Sequence, residues 1–85
     1  MKIILPEHIK LQIEERKISE HLVIKTLTNP EQTIESAKGR KIAQNKYFDG
    51  PKNKEYLLCV IFKEEQDCRV GITAYKTSKI KKYWR

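Results

Sequence analysis

Apolar residues recur four apart at Ile9 and Ile13, so "PEHIKLQIEERK" predicts a short helix with a narrow apolar stripe. Pro6 suits a first helical position, and Glu7 follows it at the positive end of the helix dipole. Ser19 then reads as the N-cap of a second helix, with Ile18 and Val23 placed as a hydrophobic staple. Val23, Ile24 and Leu27 share one side of that helix, and Asn29-Pro30 ends it.

Beyond Pro30 the period shortens. "EQTIESA" and "RKIAQNKYF" flank Lys38-Gly39, a tight turn; "YLLCVIFK" and "CRVGITAY" flank "EEQD". Two hairpins joined by the turn-rich "DGPKNK" predict a four-stranded antiparallel meander. The expected fold is therefore α+β: two N-terminal helices packed on one face of four antiparallel strands, then "TSKIKKYW" as a short helix or tail. A turn centred on Glu65-Gln66 would pair Val60 with Gly71 and Cys59 with Ile72. One face would then carry Leu57, Cys59, Ile61, Val70, Ile72 and Ala74 against the helices. The other would present Arg69, Thr73 and Tyr75 together.

A chain of 85 residues with 39% apolar and 34% charged positions supports one domain, spanning 1–85, with a single core. No window reaches the roughly 18 apolar residues of a membrane span, and "MKIILPEHIK" is too brief and too soon charged for a signal peptide. A soluble cytoplasmic protein with no membrane association is expected. Net charge is +7, and 13 of the 18 Lys and Arg follow residue 37. Such a balance bears on partners, favouring nucleic acid or an acidic protein, and it locates the contact surface in the C-terminal half.

Two Cys and two His invite a zinc site, but no Cys-x-x-Cys or His-x-x-x-His spacing occurs. The expected register also separates Cys59 from Cys68 by about 13 Å of strand. Neither a metal nor a cofactor is expected. No glycine-rich phosphate loop, Ser-His-Asp order or helix-spaced carboxylate pair appears, which leaves conventional hydrolase, kinase and dinucleotide-binding readings unsupported. His8 begins the first helix, with Gln12, Glu15 and Arg16 near it, and a His beside a carboxylate can act as a base. An exposed polar helix face is the plainer reading of these residues, and His21 reads as surface.

Basic residues interleaved with aromatics do stand out, in "RKIAQNKYF", "CRVGITAYK" and "KIKKYW". Lys and Arg neutralise phosphates, and Tyr and Trp offer stacking platforms for unpaired bases. Candidate RNA contacts are Arg40, Lys41, Thr73, Lys76, Lys79, Tyr83 and Trp84. On the second strand either Arg40, Gln44 and Lys46 or Lys41, Asn45 and Tyr47 join them, because the six-residue connection leaves that register open. Residues 79–85, through Arg85, form a basic border to this surface.

"EHIKLQIEERKISEHLVIKTLTNP" and "YLLCVIFKEEQDCRVGITAYKTSKIKKYW" resemble the two halves of a family of small domains of unknown function whose last strand runs V-x-T-x-Y. That family looks related to the BrnT-like and RelE-like toxins of toxin–antitoxin operons, which pack helices on a curved sheet whose open face binds RNA. RelE-like toxins open with a strand before the helices, and "KIIL" is the segment that could supply it. The resemblance implies a metal-independent endoribonuclease that cleaves messenger RNA, free or ribosome-bound, and is restrained by a cognate antitoxin. In such enzymes the ribose 2′-hydroxyl attacks the adjacent phosphate. His8 and Arg16 match the helical motif, as base and assistant; Thr73 and Tyr75 match the final strand. Arg69 and Lys46 correspond by position to basic residues that neutralise the phosphate, with Tyr75 stacking a base or orienting the hydroxyl. The other readings of the same surface are a non-catalytic RNA-binding module and a protein-interaction domain.

Overall fold

The computed structural model describes residues 1–84, so the expectation placed on Arg85 lies outside the described residues. In chain order the elements are β1 (Lys2–Ile4), α1 (Glu7–Glu15), α2 (Glu20–Thr28), β2 (Gln32–Glu35), β3 (Lys41–Asp49), β4 (Lys54–Glu65), β5 (Cys68–Thr77) and α3 (Ile80–Tyr83). The sheet has five strands in the order β1-β5-β4-β3-β2. The four-stranded antiparallel expectation is thus corrected: "KII" forms a strand that pairs in parallel with β5, Ile3 against Arg69, and makes the sheet mixed. Three residues are too few for an alternating pattern, and their partner is more than sixty positions away.

Local chemistry sets the helices much as the pattern predicts. Ile9 and Ile13 are buried on α1. Ser19 Oγ accepts from the Leu22 amide as the cap of α2, and Ile18 and Val23 of the staple are both buried. Ile24 departs from expectation, since it lies 38% exposed while Val23 and Leu27 enter the core. Lys38 and Gly39 adopt positive φ in a 3-10 turn between β2 and β3.

The core lies between the helices and one sheet face. It joins Ile9, Ile13, Ile18, Val23 and Leu27 to Ala43, Leu58, Val60, Phe62 and Ala74. Full burial of each large side chain contributes about 1.5–3 kcal/mol. The helix side of β4 is therefore Leu58, Val60 and Phe62, the reverse of the face expected from the hairpin. Leu57 and Cys59 point the other way and are also fully buried. A central strand buried on both faces carries an unbroken apolar run, so its own sequence does not say which face meets the helices.

The β4–β5 register differs for a second reason. Glu65 pairs with Cys68 and Phe62 with Gly71, but Ile61 pairs with Thr73, so Ile72 is one extra residue on β5. Val60 faces Ala74 and Cys59 faces Tyr75, in place of Gly71 and Ile72. One extra residue moves every later side chain to the opposite face. Arg69 and Gly71 face the helices with Phe62, whereas Tyr75, beyond the extra residue, faces away.

β1 covers β5 only as far as Val70. Beyond it the edge of β5 would be open, and α1 closes it with side chains one helical turn apart. His8 Nε2 lies 3.0 Å from the Ile72 carbonyl oxygen, Gln12 Oε1 accepts from the Ala74 amide at 2.9 Å, and Arg16 donates to the Ala74 carbonyl at 2.7 Å. The close approach of α1 uses the bare Cα of Gly71: a Cβ there would stand 3.0 Å from Ile9 Cδ1 and 3.1 Å from Leu5 Cδ2. Gln12→Ala would leave the Ala74 amide without its acceptor, which costs about 1–3 kcal/mol for a buried donor. Chemical denaturation should show a loss of that size, and hydrogen exchange should accelerate at Ala74 more than at Leu58.

Candidate nucleic-acid interface

The twelve residues singled out by sequence fall in three places. His8 and Arg16 lie along the β5 edge, where their donors are engaged by backbone carbonyls. Thr73 joins them, its hydroxyl donating to Gln12 Oε1 at 2.5 Å. With Nε2 committed to the Ile72 carbonyl, His8 has only Nδ1 left to take a proton.

Arg69, Lys41 and Lys76 belong to the helix side. Arg69 donates to the Leu27 carbonyl at 2.5 Å, near the end of α2, and its guanidinium carbon stands 5.3 Å from the Phe62 ring centroid. A cation on the unpaired carbonyls of a helix C-terminus opposes the negative end of the dipole. Arg69 Nε is buried without a hydrogen-bond partner among the described residues. Lys41 is held by Glu64 at 2.6 Å, an ion pair that raises the lysine's pKa and lowers the glutamate's. Lys76 Nζ stands 5.5 Å from the Tyr56 ring, itself stacked on Tyr47 at 5.8 Å. The expected trio of Arg69, Thr73 and Tyr75 on one open face is not formed, because Ile72 intervenes.

Lys46, Tyr75, Tyr83 and Trp84 do come together, on the face away from α1 and α2. Here the C-terminal segment folds back onto β3 and β5. The Tyr83 carbonyl accepts from Gln44 Nε2 at 3.2 Å, the Tyr83 ring meets Tyr75 edge-on at 6.2 Å, and Lys46 Nζ lies 4.1 Å from the Trp84 ring centroid. Leu57 and Cys59 lie fully buried on this same face, with the Gln44 amide on the Cys59 sulfur. Phe48, two residues along β3 from Lys46 and so on the same side, is 63% exposed. Between β2, β3 and α3 a recess of about 220 Å³ is lined by Ile42, Ser36, Tyr75 and Tyr83, with Glu35 and Lys82 as its charged members. Arg40 and Lys79 are exposed at either end of this region, after the 3-10 turn and before α3.

Gln44 belongs to the second-strand alternative with Lys46, which the structure selects, and Lys82 to the expected basic border; Cys59 and Phe48 are the members that sequence reasoning missed. The signal for them was the unbroken run Leu57–Val60, all buried, which requires a cover on the second sheet face. Among the described residues the basic, aromatic C-terminal segment lies on that face.

Burial raises the Cys59 thiol, which accepts from Gln44 Nε2 at 3.3 Å. Burial also pushes the Tyr75 phenol up to about 12, with Cys59 and then Tyr83 adding to the effect. Tyr75 is therefore a proton-bearing hydrogen-bond donor at neutral pH and a poor base. Among the described residues no three His, Cys, Asp or Glu side chains converge on a metal-sized site. No helix among them is long and apolar enough to cross a membrane.

The arrangement defines an α+β domain with one sheet face closed by helices and the other carrying an aromatic and cationic surface. Residues 5–76 match the family described as Domain of unknown function (DUF4258), and the chain belongs to it. No curated protein and no solved structure matches the chain.

A raised phenol pKa stabilises the fold fully below pH 10, the ordinary tyrosine value, and that contribution is lost as pH rises towards 12. Of the four tyrosines, one should ionise last in an alkaline titration followed by phenolate absorbance. Tyr75→Phe should remove that step and reduce the loss of stability between pH 10 and 12.

Proposed function

We propose that this domain binds single-stranded RNA on the sheet face away from α1 and α2. The observation that carries the reading is the grouping of Lys46, Tyr75, Tyr83 and Trp84 there, with Phe48 exposed beside them and Lys82 at the recess. Alternating rings and ammonium groups suit a flexible polyanion whose bases are unpaired. The long-range field of a +7 chain adds to encounter with RNA.

A toxin-type endoribonuclease with a cognate antitoxin is the second reading. It is supported by β1 at "KII", where RelE-like toxins open with a strand. His8 and Arg16 are engaged at the sheet edge and Arg69 on the helix side, so any cleavage would have to draw on Lys46, Lys82 and the Tyr75 phenol. Such a set can neutralise a phosphate and donate a proton to the leaving 5′ oxygen. It lacks a base for the 2′-hydroxyl, so binding without cleavage is the better-supported function.

Purified protein should bind a labelled unstructured RNA with an affinity that falls steeply with salt, and should leave it intact. Loss of one stacking ring costs about 1–3 kcal/mol, so Trp84→Ala should weaken binding roughly 5- to 150-fold. Arg69→Met should lower stability by about 1.5–3 kcal/mol, the range for a charged hydrogen bond, and leave RNA affinity unchanged in the folded protein. New 2′,3′-cyclic phosphate ends would favour the nuclease instead. Equal affinity of the wild type and the Trp84 variant would remove this face from the function.

A further inference from the structure

The outer surface of the helix layer carries a different chemistry. A depression of about 450 Å³ between α1 and α2 is lined by Leu11, Ile13 and Ile18, with Glu7, Glu14, Glu20 and Lys10 around them. Leu11 is 52% exposed, and Ile24 continues the apolar strip at 38%. On the other side of the molecule residues 78–82 form a shallow, open surface in which half-buried Ile80 sits among Lys79, Lys81 and Lys82. None of these three carboxylates and three C-terminal ammonium groups is in an ion pair among the described residues.

We infer that these surfaces fit each other between two copies of the chain. Ile80 of one copy enters the depression beside Leu11 of the next, and Lys79, Lys81 and Lys82 meet Glu7, Glu14 and Glu20. Three carboxylates, with Lys10 as the one ammonium among them, surround an apolar centre and face three ammonium groups, a complementarity that fixes orientation and speeds encounter. The two surfaces are different patches, so the contact is heterologous: it closes as a ring or a reciprocal pair, and otherwise extends as a chain. The contact does not depend on RNA, although it engages the basic border of the RNA-binding face.

Sedimentation velocity on nuclease-treated protein freed of RNA tests the contact. At low salt and high protein concentration the mass should rise to at least twice the 10.1 kDa of one chain. About 1 M salt, which screens charges beyond roughly 3 Å, should return it to the monomer. Leu11→Ser with Glu14→Lys, and separately Lys79→Glu with Lys81→Glu, should each stay monomeric. Mixed in equal amounts they retain one intact groove and one intact tail, and should form a one-to-one complex and nothing larger. A second groove variant, Glu7→Lys with Glu14→Lys, alters only exposed side chains and guards against misfolding. A wild type that remains monomeric throughout, or groove variants that assemble like it, would overturn the proposal.

Discussion

The structure depends on how β5 is closed along its second half. An open strand edge exposes unpaired amides and carbonyls, which are costly when buried and adhesive when exposed. β1 covers three residues of that edge, and α1 covers the next with His8, Gln12 and Arg16, spaced four apart on one side of the helix. The bonds fix the height and rotation of α1 over the sheet, which in turn directs Ile9 and Ile13 into the core. Polar residues that look catalytic in sequence are, in the fold, substitutes for a neighbouring strand.

The extra residue at Ile72 acts together with that closure. The start of β5 faces the helices, where Arg69 caps α2, and the extra residue turns the end of β5 outward, where Tyr75 meets Cys59 and Tyr83. The outward face is too apolar at Leu57 and Cys59 to be left in water, and the C-terminal segment covers it. The cover brings its own lysines and aromatic rings, so one piece of chain both completes the fold and supplies the cationic surface. The proposed RNA-binding surface and a two-sided core are linked through α3.

Both helices, the cap at Ser19, the stop at Asn29-Pro30 and the four long strands were legible in the sequence, because each rests on local period or turn chemistry. β1 was not legible from the pattern, since three residues carry no period and the partner is far away in the chain; only the resemblance pointed to "KIIL". The faces of the last hairpin were not legible either: a bulge leaves no mark in an alternating pattern, and every candidate register of "YLLCVIF" looks equally apolar. Of the candidate site, the basic and aromatic character of Lys46, Tyr75, Tyr83 and Trp84 was readable from composition. Their assembly was not, because it requires the chain to fold back onto β3 and β5. Arg69 was misplaced because the Phe62 face of the hairpin meets the helices, and the extra residue then returns Tyr75 to the outer face.

Photocrosslinking of a thiouridine-substituted single-stranded RNA, with the modified residues located by mass spectrometry, addresses this division of the two faces most directly. Adducts at Trp84, Tyr83 and Phe48 are the expected result. Adducts concentrated at His8, Tyr47 or Tyr56, on the side of the sheet occupied by the helices, would contradict it.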